Sequence, residues 1–379
     1  MASAMVVAMQ LPLQHQLATS HVMLTSTVTS SSPPLAWPTI GSAALDIPAL
    51  GVVQGFRDRV VPIASLTKMM TAWVTLQKLP LALGASGPCL VVTPDEVIAY
   101  QREKSFDESA ALVVAGERLC ELDLLNGLLV HSAGNYAELL ATLVGGSLNN
   151  FVAQMNTSAA SLGLTKTHYD DVSGFSSLSV STALNQAKLA VLLMQSPLVR
   201  SIVDQTTVKL PVAGVVNSFT PLVGVDNVVG VKSGRTDAAG GCDVMAMTFI
   251  QGGQTRIIYA VVLGQRGGDL LGPAGDAALA LSNSALANRL DHIFLRASAV
   301  GRIGWGTQMS AVVLAHRSDI YWWAAQGHLS VHAVIEHFSG TIRRGELVGW
   351  LVVHGLTTQR LELVAGRSVS APSIWQRLR

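Results

Sequence analysis

The sequence has little charge and few aromatic rings: 13% of its 379 residues are Asp, Glu, Lys or Arg, and 5% are Phe, Trp or Tyr. No run of Lys or Arg occurs and the formal net charge is only +1, so neither nucleic acid nor an anionic membrane surface is an expected partner. Long apolar runs are missing too, although 49% of the residues are hydrophobic. A spanning helix needs roughly 18–20 uninterrupted apolar residues. Leu124–Val144 comes nearest, but His131, Ser132, Asn135 and Glu138 break it, so the chain is expected to be soluble. HExxH, GxSxG, the GxxxxGKS/T phosphate loop and GxGxxG are all absent.

Cysteine is scarce. Cys89, Cys120 and Cys242 have no metal-ligand spacing and form no CxxC. They read as buried small hydrophobes, and a Cys89–Cys120 disulfide stays open if the protein is exported. Met1–Leu35 lacks every charged residue type and ends near the Ser/Pro run Ser30–Pro34. A secretory signal wants a positive start and an unbroken apolar stretch; here Gln10, Gln14, His15 and Gln16 interrupt it. Residues 1–35 are therefore expected to be a flexible leader or stalk, with any membrane tether outside this sequence.

What remains is long enough for a well-buried core. Leu66, Met69, Met70, Trp73 and Leu76 recur at helical spacing within Pro62–Lys78, and Pro80 closes the segment. Thr93-Pro94-Asp95-Glu96 has the form of a helix entry. Leu122–Leu143 reads as two helices around a polar kink at His131–Asn135, followed by helices over Asn149–Leu162 and Thr182–Met194. Beyond Pro211 the pattern turns extended, with β-rich runs at Val228–Lys232, Val244–Ile250 and Arg256–Leu263, then a last helix near Gly275–Leu295. The interleaving lacks regular βαβ alternation, which predicts an α+β class. Short β-type runs at Ala311–Leu314, Tyr321–Ala324, Leu329–Val334 and Val348–Val353 predict a small all-β domain over 300–379, after a main domain over 36–299. Trp322, Trp323, Trp350 and Trp375 in that region suit core packing, or contact with a glycan or partner.

Chemistry concentrates in three short stretches. In Ser65-Leu66-Thr67-Lys68 the serine and lysine share a helix face, and Ser65 sits at the positive end of the helix dipole. A serine hydroxyl is a weak nucleophile until a neighbour takes its proton, and a desolvated lysine can do so. An N-cap serine with a solvated lysine is the plain alternative. His131-Ser132-Ala133-Gly134-Asn135 follows between helices, and Gly230-Val231-Lys232-Ser233-Gly234-Arg235-Thr236 lies on a strand. His131 beside Ser132 is a tempting base, though such a histidine is more often solvated or one step removed.

In order and spacing these stretches match the set SxxK, S-D-N and K-T-G of penicillin-binding proteins and class A β-lactamases. The connecting segments Phe151–Asn156, Leu162–Tyr169, Ser173-Gly174-Phe175, Ser181-Thr182-Ala183 and Thr236–Cys242 resemble those of D-alanyl-D-alanine carboxypeptidases, the low-molecular-mass penicillin-binding serine peptidases. The resemblance covers about 36–265. It implies a β-lactamase/penicillin-binding-protein-like transpeptidase fold, an antiparallel sheet flanked by helices, with the small β domain appended.

The implied function is removal of the terminal D-alanine from peptidoglycan stem pentapeptides, with β-lactams as inhibitors, in the cell envelope. Ser65 would be the nucleophile, Lys68 its base and Ser132 the proton relay to the leaving D-alanine. Backbone N–H groups of Ser65 and Arg235 would form the oxyanion hole. Lys232, Ser233 and Gly234 would engage the substrate's terminal carboxylate, and Arg235 either helps hold it or is a solvent-facing strand end. No metal or organic cofactor is implied.

Two departures from the pattern matter differently: Ser233 for Thr keeps the hydroxyl and is mild, while the second motif loses its amide. An ungapped alignment puts Gly134 where the family's second-motif Asn contacts the first-motif Lys and the substrate's amide carbonyl. Asn135 could swing in, because a preceding glycine relaxes the backbone. Otherwise the chain is a weakened enzyme or a non-catalytic peptidoglycan-binding scaffold. A β-lactamase reading lacks support, since Glu138 is the one Glu between the second and third motifs and no ExxLN-like loop occurs.

Overall fold

In this computed structural model, residues 19–22, 25–28, 34–294, 299–316, 318–323, 329–354 and 358–373 are described. Two compact units result, one being Pro34–Ala287 and the other the described parts of Met1–Pro33 and Asn288–Arg379.

The larger unit is built on a five-stranded antiparallel sheet. Its strands are β1 (Ser42–Ile47), β2 (Val52–Phe56), β3 (Val228–Thr236), β4 (Gly240–Gln251) and β5 (Gln254–Gln265), in the order β3-β4-β5-β1-β2. β1 is buried at every position and β4 at nearly every one, rather than alternately. That pattern belongs to strands covered on both faces.

Eight helices complete the unit: α1 (Thr67–Lys78), α2 (Pro94–Ser105), α3 (Glu121–Leu129), α4 (Gly134–Gly145), α5 (Leu148–Ser161), α6 (Ala183–Leu193), α7 (Pro197–Val203) and α8 (Leu271–Ala287). α6 and α8 pack on the sheet, and α1 is surrounded by α3, α4, α5 and α6. Met69 and Met70 of α1 are fully buried, which stabilises the unit by roughly 1.5–3 kcal/mol per side chain.

Local chemistry explains the ends. Thr93 and Glu96 form a capping box at α2 with Pro94 at its first position, as the sequence predicts. Ser147, Thr182 and Ser196 cap α5, α6 and α7 by accepting backbone N–H bonds. Cys89 and Cys120 sit opposite each other on two short paired strands and form a disulfide, so the cross-linked alternative holds for this pair. Cys242 is buried and free.

The expected last helix needs correction at its end. α8 stops at Ala287, and Arg289–Phe294 is a strand paired with Ser318–Trp323. The β-sheet partner lies some thirty residues on, so helical periodicity up to Leu295 carries no sign of it. A seven-stranded antiparallel sheet forms the rest of the smaller unit. Its core includes Ile303, Val312, Val348, Leu351 and Leu363.

Part of the segment expected as a flexible leader is also sheet. Thr19–Val22 pairs with Ala299–Trp305, and Thr25–Val28 pairs with Leu329–Ile335. Thr- and Val-rich tetrapeptides suit a pleated strand, and the ladder satisfies backbone groups that a leader would leave to water. The remainder of residues 1–33 lies outside the described residues, as does Trp375. Trp323 is buried, while Trp350 is half-buried. No helix among the described residues is long and apolar enough to cross a membrane.

Candidate active site

α1 has a strained entry. Ala64 takes a left-handed φ of 48° and opens the 3₁₀ turn Ala64–Leu66 that runs into α1. Such a conformation costs a non-glycine residue about 1–3 kcal/mol and persists only where the surroundings enforce it. The turn leaves Ser65 half-buried at the helix start, with Lys68 buried one turn further.

Lys68 Nζ lies 3.0 Å from Ser65 Oγ and donates to the Ser173 carbonyl at 2.8 Å. Burial strips the ammonium of water and lowers its pKa, while Glu108, then Asp171 and Glu103, pull it back up. An amine so placed can take a hydroxyl proton, which is what nucleophilic serine chemistry needs.

Ser132, between α3 and α4, is buried and also left-handed, with φ 61°. Its neighbour His131 is engaged elsewhere. The His131 ring stacks on Phe219 at 4.8 Å, and Nδ1 is 3.1 Å from the Asn217 carbonyl. Burial lowers its pKa. The expectation that Asn135 swings into the site is corrected: its Oδ1 accepts from Ala111 N at 3.0 Å and its Nδ2 donates to Ala111 O at 2.8 Å. A buried amide with both ends paired to one backbone unit gains nothing by leaving it.

The third stretch lies on β3. Lys232 is fully buried, its Nζ donating to the Ser233 carbonyl at 2.7 Å. Burial lowers its pKa well below that of a free lysine, the nearby Lys68 charge adds to this, and Asp243 opposes it. Ser233 Oγ donates to Phe219 O at 2.7 Å, which ties β3 to the segment under His131. Gly234 passes so near Ser65 that a Cβ there would stand 2.5 Å from Ser65 N. Arg235 is exposed, with Nη1 3.4 Å from the Asp269 carbonyl.

A cleft of about 430 Å³ is lined by Ser65, Phe106, Glu108, Phe175, Arg235 and their neighbours. Of the expected site residues, Ser65 and Arg235 line it; Lys68, Ser132, Asn135, Lys232, Ser233 and Gly234 do not. The acidic wall around Lys68 is the part that the motifs do not announce. Ser173 Oγ donates to Glu108 Oε1 at 2.7 Å, and Asp171 Oδ2 accepts from the backbone N–H groups of Gly174 and Phe175 at 2.8 Å. Ser173-Gly174-Phe175 is a family-like string, but Glu103 and Glu108 belong to no motif.

Glu103 is buried, and its Oε2 has no partner among the described residues. Burial first, then the charges of Glu108 and Glu138, push its pKa up from 4.5 to about 8. The folded chain thus holds a proton that the unfolded chain releases, so stability falls as pH rises from 4.5 to about 8. A Glu103→Gln variant cannot ionise and is expected to melt with a shallower decline across that window. Calorimetric melting points at several pH values check this, and an unchanged pH slope would count against it.

Helices packed on an antiparallel sheet, with a Ser–Lys pair where β3 meets α1, define the transpeptidase fold of penicillin-binding proteins. A profile of the D-alanyl-D-alanine carboxypeptidase family matches residues 52–267, and the chain belongs to that family of serine peptidases of cell-envelope peptidoglycan metabolism. Among curated relatives, a D-alanyl-D-alanine endopeptidase of Pseudomonas aeruginosa is 34% identical over 202 residues, which are 51% of this chain and 61% of the relative. A D-alanyl-D-alanine carboxypeptidase of Streptomyces is 29% identical over 210 residues, 51% of this chain and 69% of the relative. This chain therefore spans less than two thirds of the Pseudomonas protein. Two solved structures share the fold. Penicillin-binding protein 6B of Escherichia coli superposes with a TM-score of 0.63 at 20% identity, covering 90% of this chain and 99% of the other. A Streptomyces DD-transpeptidase gives 0.58 at 24%, covering 68% and 100%.

Proposed function

We propose that this chain is a serine D-alanyl-D-alanine carboxypeptidase acting through an acyl-enzyme on Ser65. One observation carries the reading: a buried Lys68 amine 3.0 Å from a Ser65 hydroxyl that lines an open cleft. Ser65 Oγ attacks the carbonyl of the terminal peptide bond while its proton passes to Lys68. The developing oxyanion is held by the backbone N–H groups of Ser65 and Arg235. The C–N bond then breaks, and the departing D-alanine nitrogen takes a proton through Ser132. Water attacks the Ser65 ester, releases the shortened peptide and restores the hydroxyl. Arg235, which lines the cleft, meets the substrate's terminal carboxylate first, and Lys232, Ser233 and Gly234 back it from the same strand, the Lys232 and Ser233 side chains turning to the carboxylate when it binds.

The cell envelope outside the cytoplasm is the proposed location. The Cys89–Cys120 disulfide supports it, because such bonds persist in oxidising compartments. The Pseudomonas relative supports a second reading, an endopeptidase that uses the same acyl-enzyme on a cross-linked peptide.

Incubation with a fluorescent penicillin, followed by peptide mapping, tests the shared step. A stable adduct on Ser65 is the expected result. No adduct at all favours a scaffold that kept the fold, and rapid release of hydrolysed drug favours a β-lactamase. Free D-alanine from a pentapeptide, against cleavage of a cross-linked dimer, then separates the two peptidase readings.

A further inference from the structure

Gly134 has no backbone reason to be glycine, since it opens α4 outside the left-handed region. The space in front of it is taken by side chains. A Cβ there would stand 2.5 Å from Glu108 Oε1 and 3.0 Å from Glu103 Oε2. Two carboxyl groups thus fill the volume in front of the position where the resemblance expects an amide.

The loop that delivers Glu108 is firmly held. Asp107 turns it with a left-handed φ of 56°, and Glu108 N donates to Glu103 O at 3.0 Å. Gly134 N donates to Ser109 O at 2.7 Å, and the Asn135 amide grips both backbone groups of Ala111. From there Glu108 reaches the site on two sides. It lines the same cleft as Ser65, and it accepts from Ser173 Oγ, whose carbonyl in turn receives Lys68 Nζ.

We infer that Glu108 replaces the second-motif amide as the residue that positions Lys68, and that Gly134 and Glu108 form an exchanged pair. This rests on the acyl-enzyme reading of Ser65. A carboxylate reproduces only half of an amide: it accepts, here from Ser173 Oγ, and acts on Lys68 through that residue and through its charge, but it has no N–H to offer the substrate's carbonyl. The charge groups facing Lys68 are Glu103 from α2, Glu108 and Asp171 from loops, and Lys232 from β3. Glu108 acts most strongly among the carboxylates and favours the ammonium form.

The test measures the rate of Ser65 labelling by fluorescent penicillin against pH for the full chain and four variants. Glu108→Gln removes the charge and keeps the shape. Its rising limb, which reports the free Lys68 amine, is expected to move acidward by about one pH unit. Glu108→Ala should slow labelling about tenfold, and Gly134→Asn alone should slow it through the clash with Glu108. The double variant Gly134→Asn/Glu108→Ala should label faster than either single variant. Melting curves accompany each protein, and Glu108→Gln keeps the test valid if Glu108→Ala does not fold. Wild-type rate and pH profile in both Glu108 variants, or no recovery in the double variant, would overturn the inference alone. Absence of any wild-type adduct overturns the acyl-enzyme reading and this inference with it.

Discussion

A Lys68→Arg variant is expected to acylate with penicillin about 10²–10⁴-fold more slowly than the wild type, and a Lys68→Met variant equally so. The pair of variants is informative because arginine keeps the positive charge yet does not give up its proton at any working pH. If Lys68 served as a fixed cation that polarises Ser65, Arg would preserve much of the rate. The structure supports a base instead. Lys68 is fully buried and 3.0 Å from Ser65 Oγ, and burial lowers its pKa, which favours the free amine. Rapid-mixing measurement of adduct formation would decide. Substantial activity in the Arg variant, with Met inactive, would remove Lys68 from the role of base.

Gly234→Ala should reduce the same rate by about 10²-fold. An added Cβ would meet Ser65 N at 2.5 Å and Ala64 Cβ at 3.1 Å. The first of these is backbone, so no side chain can swing away to make room. Either β3 or the 3₁₀ turn must retreat, and a misplacement near 1 Å costs about that factor in a positioned reaction. The proposed oxyanion donors, Ser65 N and Arg235 N, sit on the two segments forced apart. Melting should drop only modestly, since overpacking one methyl costs about 1–3 kcal/mol. A folded Ala variant with unaltered acylation would show that the β3 approach is not needed for the chemistry.

Much of this site is legible in the residue order alone. The i, i+3 spacing of Ser65 and Lys68 puts them on one face of a helix, but the apolar period of Leu66, Met69 and Met70 does not tell that Thr67, Lys68, Thr71 and Thr75 are buried as well. Thr93 and Glu96 announce a helix start through purely local hydrogen bonds. The kink at His131–Asn135 and the extended run through Lys232 are equally local. Asn135 misleads because its partner, Ala111, lies on a loop that no motif marks. Glu108 is hidden for the same reason.

The sequence by itself determined that a serine and a lysine share a helix turn, that a second serine follows between helices, and that a Lys-Ser-Gly strand comes later. Short-range spacing and periodicity are enough for such facts, since neighbours along the chain remain neighbours in the fold. Only the tertiary structure decided which groups surround that pair. It brought Ser173, Asp171, Glu103 and Glu108 to Lys68 from separate loops and helices, and it joined Cys89 to Cys120. Electrostatics and packing act through space, so the acidity of a buried lysine and the meaning of a single glycine at 134 depend on residues the chain order keeps apart.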